Sequence, residues 1–558
     1  MQIERLQGSD GEMCNLVLPA DAGLHLQRGA PGSSACIVLH GPLAADRQMG
    51  KCHEKEVTTM MRRQDKGAGN GKMGWRLWAV LGLSALLGAC GGSGGGEDRS
   101  AGSTKVITAY SPAEIAQSSA DNYEDNVNGM ITGARLKSWV SNWPANRPAG
   151  ITGKLVIFQA TVGPTGAEYI KPNNLNVFTY LSPSSEWIQT RSNGVILTQS
   201  MVPDGPTMDA LLKKYGVDPH NDMLVCAMGT GSTGNAMAQG RCWYALRYWG
   251  VRAANLALLN GGNQWLNGNG LAATDFAATA STAPNSGTVS VKTLLDDNTA
   301  LQATMEDLLA VLPADDRNLT NDGVMIWDAR SAGQFSAGER LEPGEGGFAA
   351  CGGATICAAP ADYDYMRSFQ NSGSRQGHPR GTLQLQFTNM LDASKGFAYK
   401  PKAAIRAYMD GATDASGYAL VDGSYQRVGA GAGYQPGDTV YTYCETTFRA
   451  MITGMASAVI MGYPTRFYDG AMVEWNSLSH LPDAKGNNIL PADSPWRTDV
   501  KSFFRAAKSA SQVAERTIVN PYATHANQII LEGQSYKQGS SSGSGGGGSV
   551  NPGNPCGG

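Results

Sequence analysis

Within a few residues of Cys444 the chain changes from strand period to helix period. Val440-Tyr441-Thr442-Tyr443 is a short apolar run of β type, and Cys444-Glu445-Thr446-Thr447-Phe448-Arg449 reads as a loop. Ile452, Met455, Ala456, Val459 and Ile460 then recur at helical spacing until Gly462-Tyr463-Pro464 stops the helix before a second strand-like run. The same plan lies upstream. Leu224-Val225-Cys226-Ala227 is a strand run, a glycine-rich loop follows, a helical stretch covers 236–249, Gly250 ends it, and a strand is expected over 256–259 before Asn260-Gly261-Gly262 and Trp265. Two copies of one strand–loop–helix–strand unit predict an α/β fold of two domains, each a mainly parallel sheet flanked by helices.

The 558 residues leave room for two or three domains, and a formal charge of -3 gives no basic surface for nucleic acid. Glycine is over-used, at 71 residues, and its densest tracts, 91–96 and 539–558, read as flexible tethers.

A cysteine that opens a loop between a strand and a helix is presented to the outside instead of packed. Amides at a helix N-terminus favour an anion at the loop's centre, which lowers a thiol pKa and makes the thiolate a nucleophile. Cys444 is therefore the expected catalytic residue. The upstream loop, 228–234, has no cysteine at its mouth, and Cys226 falls inside the strand run as a packed thiol. Gly229-Thr230-Gly231-Ser232-Thr233-Gly234 fits G-x-G-x-x-G, but a dinucleotide site needs an acidic residue after the next strand, where Asn260 stands. No cofactor is expected.

The segments around these positions resemble the rhodanese (thiosulfate sulfurtransferase) family. The resemblance is carried by the cysteine loop with Gly462, Tyr468-Asp469-Gly470 and Glu474-Trp475, by Ile326-Trp327-Asp328-Ala329-Arg330 with Phe335, and by Gly377-His378-Pro379-Arg380-Gly381-Thr382. It implies two rhodanese-like domains in tandem, the first inactive, with a C-terminal helical extension. It also implies a persulfide carried by Cys444 between a small sulfur-containing donor and a thiol acceptor. Substrate contact then falls to Glu445, Thr446, Thr447, Phe448 and Arg449, and bracing of the loop to Asp328 and Arg330. Glu445 stands where thiosulfate-using relatives carry cations, which disfavours thiosulfate itself; Thr447 replaces a common glycine, and Arg449 could instead pair with a core acid such as Asp328. The alternatives are a relative acting on selenium or tellurium oxyanions, and a non-catalytic binding or scaffold lipoprotein.

An apolar run over 75–89 ends in Leu87-Gly88-Ala89-Cys90, which resembles a bacterial lipoprotein signal with Cys90 as the lipidated residue. The expected location is the cell envelope, lipid-anchored to a membrane. Residues 1–72 show no clear periodicity and are expected not to fold, with translation starting at Met61 or Met73. Cys351 and Cys357 could close a tight disulfide outside the cytoplasm, a metal pair being less favoured, whereas Cys226 and Cys242 fall on a strand and a helix and are a weaker pair. No metal is expected. The domain plan is 73–90 signal, 91–135 tether and linker, 136–285 inactive domain, 300–485 active domain, 486–538 C-terminal extension with a helix over 494–515, and 539–558 tail.

Overall fold

The two apolar runs that precede the two loops become the third of the five strands in two separate sheets. The computed structural model describes residues 2–7, 13–18, 105–266, 270–345, 351, 355–360, 376–481, 490–505 and 516–539. Residues 1–100 form a unit of their own, in which β1 (Gln2–Gln7) pairs antiparallel with β2 (Met13–Leu18). The rest of 1–72, the apolar run 75–89, Cys90 and the tail from 540 lie outside the described residues. No described helix is long and apolar enough to cross a membrane.

Residues 101–558 form the second unit. Its first sheet contains β3 (Gly129–Ile131), β4 (Leu155–Gln159), β5 (Val177–Leu181), β6 (Met223–Ala227) and β7 (Leu256–Leu259), all parallel, in the order β3-β7-β6-β4-β5. The second contains β8 (Gln302–Ala303), β9 (Val324–Asp328), β10 (Leu383–Gln384), β11 (Thr439–Tyr443) and β12 (Thr465–Tyr468), again parallel, in the order β8-β12-β11-β9-β10. Numbered within each sheet, both orders are 1-5-4-2-3. A strand covered on both faces reads as a continuous apolar run, and all of β6 is buried, as are the last four residues of β11.

Local chemistry sets the helix ends. For α1 (Gly133–Ser141) Thr132 is the cap, and for α2 (Gly205–Tyr215) Asp204 accepts from the Thr207 amide while Gly216, with φ +61°, ends the helix. Ser232 caps α3 (Thr233–Tyr248), and Thr304 with Asp307 forms a capping box at α4 (Met305–Val311). Next, α5 (Phe448–Met455) runs into a π-helical turn, Ala456–Ile460, and α6 (Ala471–Ser477) follows β12. The last helix is α7 (Gln528–Gln538).

Helix α3 packs directly on α5. Gly240 permits this approach, because a Cβ there would stand 2.5 Å from the Cβ of Met451. The apolar cores on the facing sides of the two sheets consequently merge, with Leu224, Tyr244, Met451, Ile452 and Val459 in one cluster. The helix expected over 494–515 is corrected where the residues are described. Ser502–Arg505 is a strand, paired antiparallel with Gln376–Pro379, which places His378 in a strand.

Cys226 on β6 bridges Cys242 on α3 with a Cα–Cα distance of 6.1 Å, despite their different elements, and Cys351 bridges Cys357 at 5.4 Å. The glycine-rich loop after β6 is occupied by the chain itself. The Gly231 amide donates to Gln264 Oε1 at 2.6 Å, Gln264 Nε2 donates back to Gly231 O, and a Cβ on Gly229 would come within 1.9 Å of Thr161 O. These glycines admit neighbouring backbone, and no pyrophosphate is needed to explain them.

Candidate active site

Strand β11 delivers Cys444 to the carboxyl end of the second sheet, beside β9, so that Tyr443 lies opposite Asp328. The cysteine takes part in neither disulfide and is buried, at 0 % exposure. A presented thiol is thus corrected: the loop is packed, with Glu445 and Thr446 each 1 % exposed, Thr447 fully buried and Phe448 partly buried. The cause lies in segments outside the loop. The Cys444 and Glu445 carbonyls accept from the Met472 and Val473 amides of α6, each at 3.1 Å. From α3, Arg241 Nη2 donates to Thr446 O at 3.0 Å while its Nη1 pairs with Asp469 at 2.7 Å, both side chains fully buried. The Arg241 guanidinium also lies 5.1 Å from the centre of the Phe448 ring.

A second polar cluster lies on the β9 side. Arg330 grips Asp328 through Nε at 2.9 Å and Nη2 at 2.6 Å, donates to Gln376 Oε1 and Gly377 O, and stands 3.7 Å from Glu445 Oε2. The Tyr443 hydroxyl donates to Asp328 Oδ2 at 3.0 Å, and burial beside that charge pushes its pKa well above the usual phenol range. Gln334 joins the two ends of the loop: its Nε2 donates to Glu445 at 3.4 Å and its Oε1 accepts from Arg449 Nη1 at 2.5 Å. Arg449 therefore meets Gln334, while Asp328 is engaged by Arg330. From the C-terminal segment comes Arg516, whose pKa is lowered by burial and supported by the charge of Glu445.

Thr447 has φ +63°, a left-handed conformation that disfavours a β-branched residue. Its hydroxyl offsets the strain by reaching Tyr468 O at 3.0 Å and Asp469 O at 2.9 Å. Thr447→Val keeps the strain and removes that donor, so it is expected to destabilise by about 1–3 kcal/mol. Thr447→Gly relieves the strain as it loses the bond and should change stability by under about 1 kcal/mol. Equilibrium denaturation compares the two.

Glu474 on α6 is buried and accepts from Asn193, Thr198 and Tyr468 at 2.9–3.2 Å. Burial raises it most, with Asp469 adding repulsion, up to about 7. A carboxyl with a raised folded pKa stabilises fully below its unfolded value and loses that contribution as pH rises through about 7. Stability of the native protein is accordingly expected to fall by about 3 kcal/mol at most across this window from this group. In Glu474→Gln that part of the slope disappears, which denaturant midpoints measured across pH test.

His378 is engaged at both ring nitrogens. Its Nδ1 meets Phe335 O at 2.7 Å, its Nε2 meets Asp316 at 2.9 Å, and its ring stacks on Phe335. Arg241 and Gln334 were not singled out by sequence reasoning, and Asp469 was quoted there without a role. Their only signal was polarity inside segments whose neighbours are apolar, as with Arg241 in a helix that is buried from Ala236 to Tyr248. Among the described residues no group of three or more His, Cys, Asp or Glu is arranged to hold a metal ion.

No family model and no curated protein matches the chain. Among solved structures, the Tum1 protein from Saccharomyces cerevisiae is 15% identical, with 63% of this chain and 95% of that one covered at a TM-score of 0.38. An anaerobic ergothioneine biosynthesis enzyme from Chlorobium limicola is 14% identical, with coverage of 62% and 68% at 0.38. A structure of EanB described as bearing a cysteine persulfide is 13% identical, with the same coverages and score. Likeness at this level carries no argument about activity. The expectation of a tandem-domain rhodanese-family lipoprotein is therefore corrected: short motif pieces suggested it, but no family model supports it, and the structural neighbours are distant. What stands is an α/β chain with two parallel sheets of identical strand order, the second ending in a buried cysteine loop held by ion pairs.

Proposed function

We propose that the protein is a sulfurtransferase in which Cys444 carries a sulfane sulfur. The observation that supports this most is the position of a thiol outside both disulfides, at the carboxyl end of a parallel sheet and in a loop clamped by buried ion pairs. In the first half-reaction the thiolate attacks the outer sulfur of a donor R–S–S⁻ or X–S⁻. A new S–S bond forms, the donor's bond to that sulfur breaks, and its electron pair leaves on the donor residue. In the second, an acceptor thiolate attacks the outer sulfur of the persulfide, and the Cys444 thiolate is released unchanged.

Around the loop, Arg241 is paired with Asp469 and Arg330 with Asp328 and Glu445, while Arg449 donates to Gln334, so the charges nearest the cysteine are largely offset. So balanced a site favours a donor of low charge, such as an organic persulfide, over a dianion. Because the thiol is buried, the loop must open before a donor reaches it, and local opening has a free-energy cost of its own. Sulfide release from an organic persulfide in the presence of dithiothreitol, compared between wild type and Cys444→Ser, tests the reading. Equal rates would sink it.

The burial of Cys444 also favours a second reading, a non-catalytic binding protein whose cysteine is structural. Absence of sulfur loading with organic persulfide and with thiosulfate, together with absence of selenium loading with selenite, would select it. For location, we propose the cell envelope through a lipid on Cys90. The two disulfides support an oxidising compartment. Metabolic labelling with a palmitate analogue should mark the native protein but not Cys90→Ser; equal labelling would refute the anchor.

A further inference from the structure

A cavity of about 570 Å³ is walled by the chain after Glu339 and by the 417–427 segment. Its volume is within the range of small-molecule sites. One edge is the short antiparallel pair of Arg340–Leu341 with Cys357–Ala358, which the Cys351–Cys357 disulfide clips in place. Its lining includes Arg340, Glu342, Gln384, Tyr418, Tyr425 and Arg427.

The charged groups there are arranged unusually. Neither Arg340 nor Arg427 has a carboxylate within ion-pair distance among the described residues. The Arg340 guanidinium lies 5.2 Å over the Tyr425 ring and donates to the Glu339 carbonyl at 3.5 Å, and among the described residues the Arg427 side chain donates only to Thr355, at 3.4 Å. Glu342, 5 % exposed, accepts through Oε1 from the Ala332 amide at 3.1 Å and from Gln384 at 3.2 Å, whereas its Oε2 has no hydrogen-bond partner among the described residues. Burial, with the charge of Glu345 beside it, pushes this carboxyl up to about 8. It therefore holds its proton at neutral pH, and Oε2 can donate. A cavity with two uncompensated guanidiniums, a neutral acid as donor and aromatic walls is complementary to an anion with a planar body.

We propose that this cavity binds a small aromatic or conjugated carboxylate, its head held by Arg340, Arg427 and Glu342 and its body laid against Tyr418 and Tyr425. The site is separate from the cysteine loop and does not depend on sulfur transfer. It is nevertheless one bond away from the brace, since Gln384 Nε2 donates both to Glu342 and to Arg330 O, the latter at 2.7 Å.

Isothermal titration calorimetry on the whole protein with benzoate, benzamide and benzylammonium tests this. Benzoate is expected to bind saturably, with benzamide at least about tenfold weaker and benzylammonium not binding. Arg340→Met and Arg427→Met, at half-exposed and exposed positions whose loss leaves the fold in place, should each weaken benzoate by about tenfold or more. No saturable benzoate binding, equal binding of the cation, or unchanged benzoate affinity in both variants would overturn the proposal.

Discussion

Arg330→Met is expected to lower the unfolding free energy by about 3–5 kcal/mol. The reason is what the substitution leaves behind. Asp328 is fully buried and would keep only the Tyr443 hydroxyl and the residue-330 backbone amide as donors, with its countercharge gone. Glu445 would lose the guanidinium 3.7 Å away at the same time, and the carbonyl of Gly377 its donor. A buried pair replaced as a whole behaves differently, because no naked charge remains. The double variant Asp328→Asn with Arg330→Met should thus recover at least half of the loss. Denaturant midpoints with unchanged m-values would establish both numbers. A loss under about 1 kcal/mol in the single variant would mean that the charge is solvated on opening and that the brace is not holding the loop.

Cys444→Ser should reduce sulfur transfer by at least about 10³-fold. Serine keeps the size of the side chain, but its hydroxyl ionises far too weakly to serve as nucleophile, and it cannot form the S–S bond on which the second half-reaction depends. Met472, Val473 and Arg241 clamp the loop through the backbone carbonyls of Cys444, Glu445 and Thr446, so all three retain these partners in the variant. Near-UV circular dichroism close to that of wild type would show that lost activity is chemical. If Cys444→Ala instead lost its tertiary signal and Cys444→Ser kept full turnover, the thiol would be a core group.

The strands and the repeat were legible because parallel strands buried on both faces leave continuous apolar runs, as in β6 and β11, and because glycines at 250 and 462, with φ +96° and +76°, end the following helices. The chemistry-bearing loop was legible for the same reason: it joins a strand run to a helical period. Its burial was not. That depends on Arg241 reaching across from α3, about two hundred residues away in the chain, and on the α6 amides beyond the next strand, contacts that no local period encodes. The 494–515 helix failed because Ser502–Arg505 finds a strand partner at Gln376–Pro379, a pairing decided by tertiary context over local propensity. The pairing of Cys226 with Cys242 was obscured similarly, since a strand and a helix can bring thiols together only when the helix lies across that strand.

Whether sulfur comes to rest on Cys444 is decided by loading the native protein with an organic persulfide labelled in its outer sulfur, removing excess donor, and mapping the label by mass spectrometry of proteolytic peptides under non-reducing conditions. The account predicts one extra sulfur atom per chain, confined to the peptide containing Cys444 and discharged by dithiothreitol. Label on any other cysteine, or an unmodified Cys444 peptide after full exposure to donor, would contradict it.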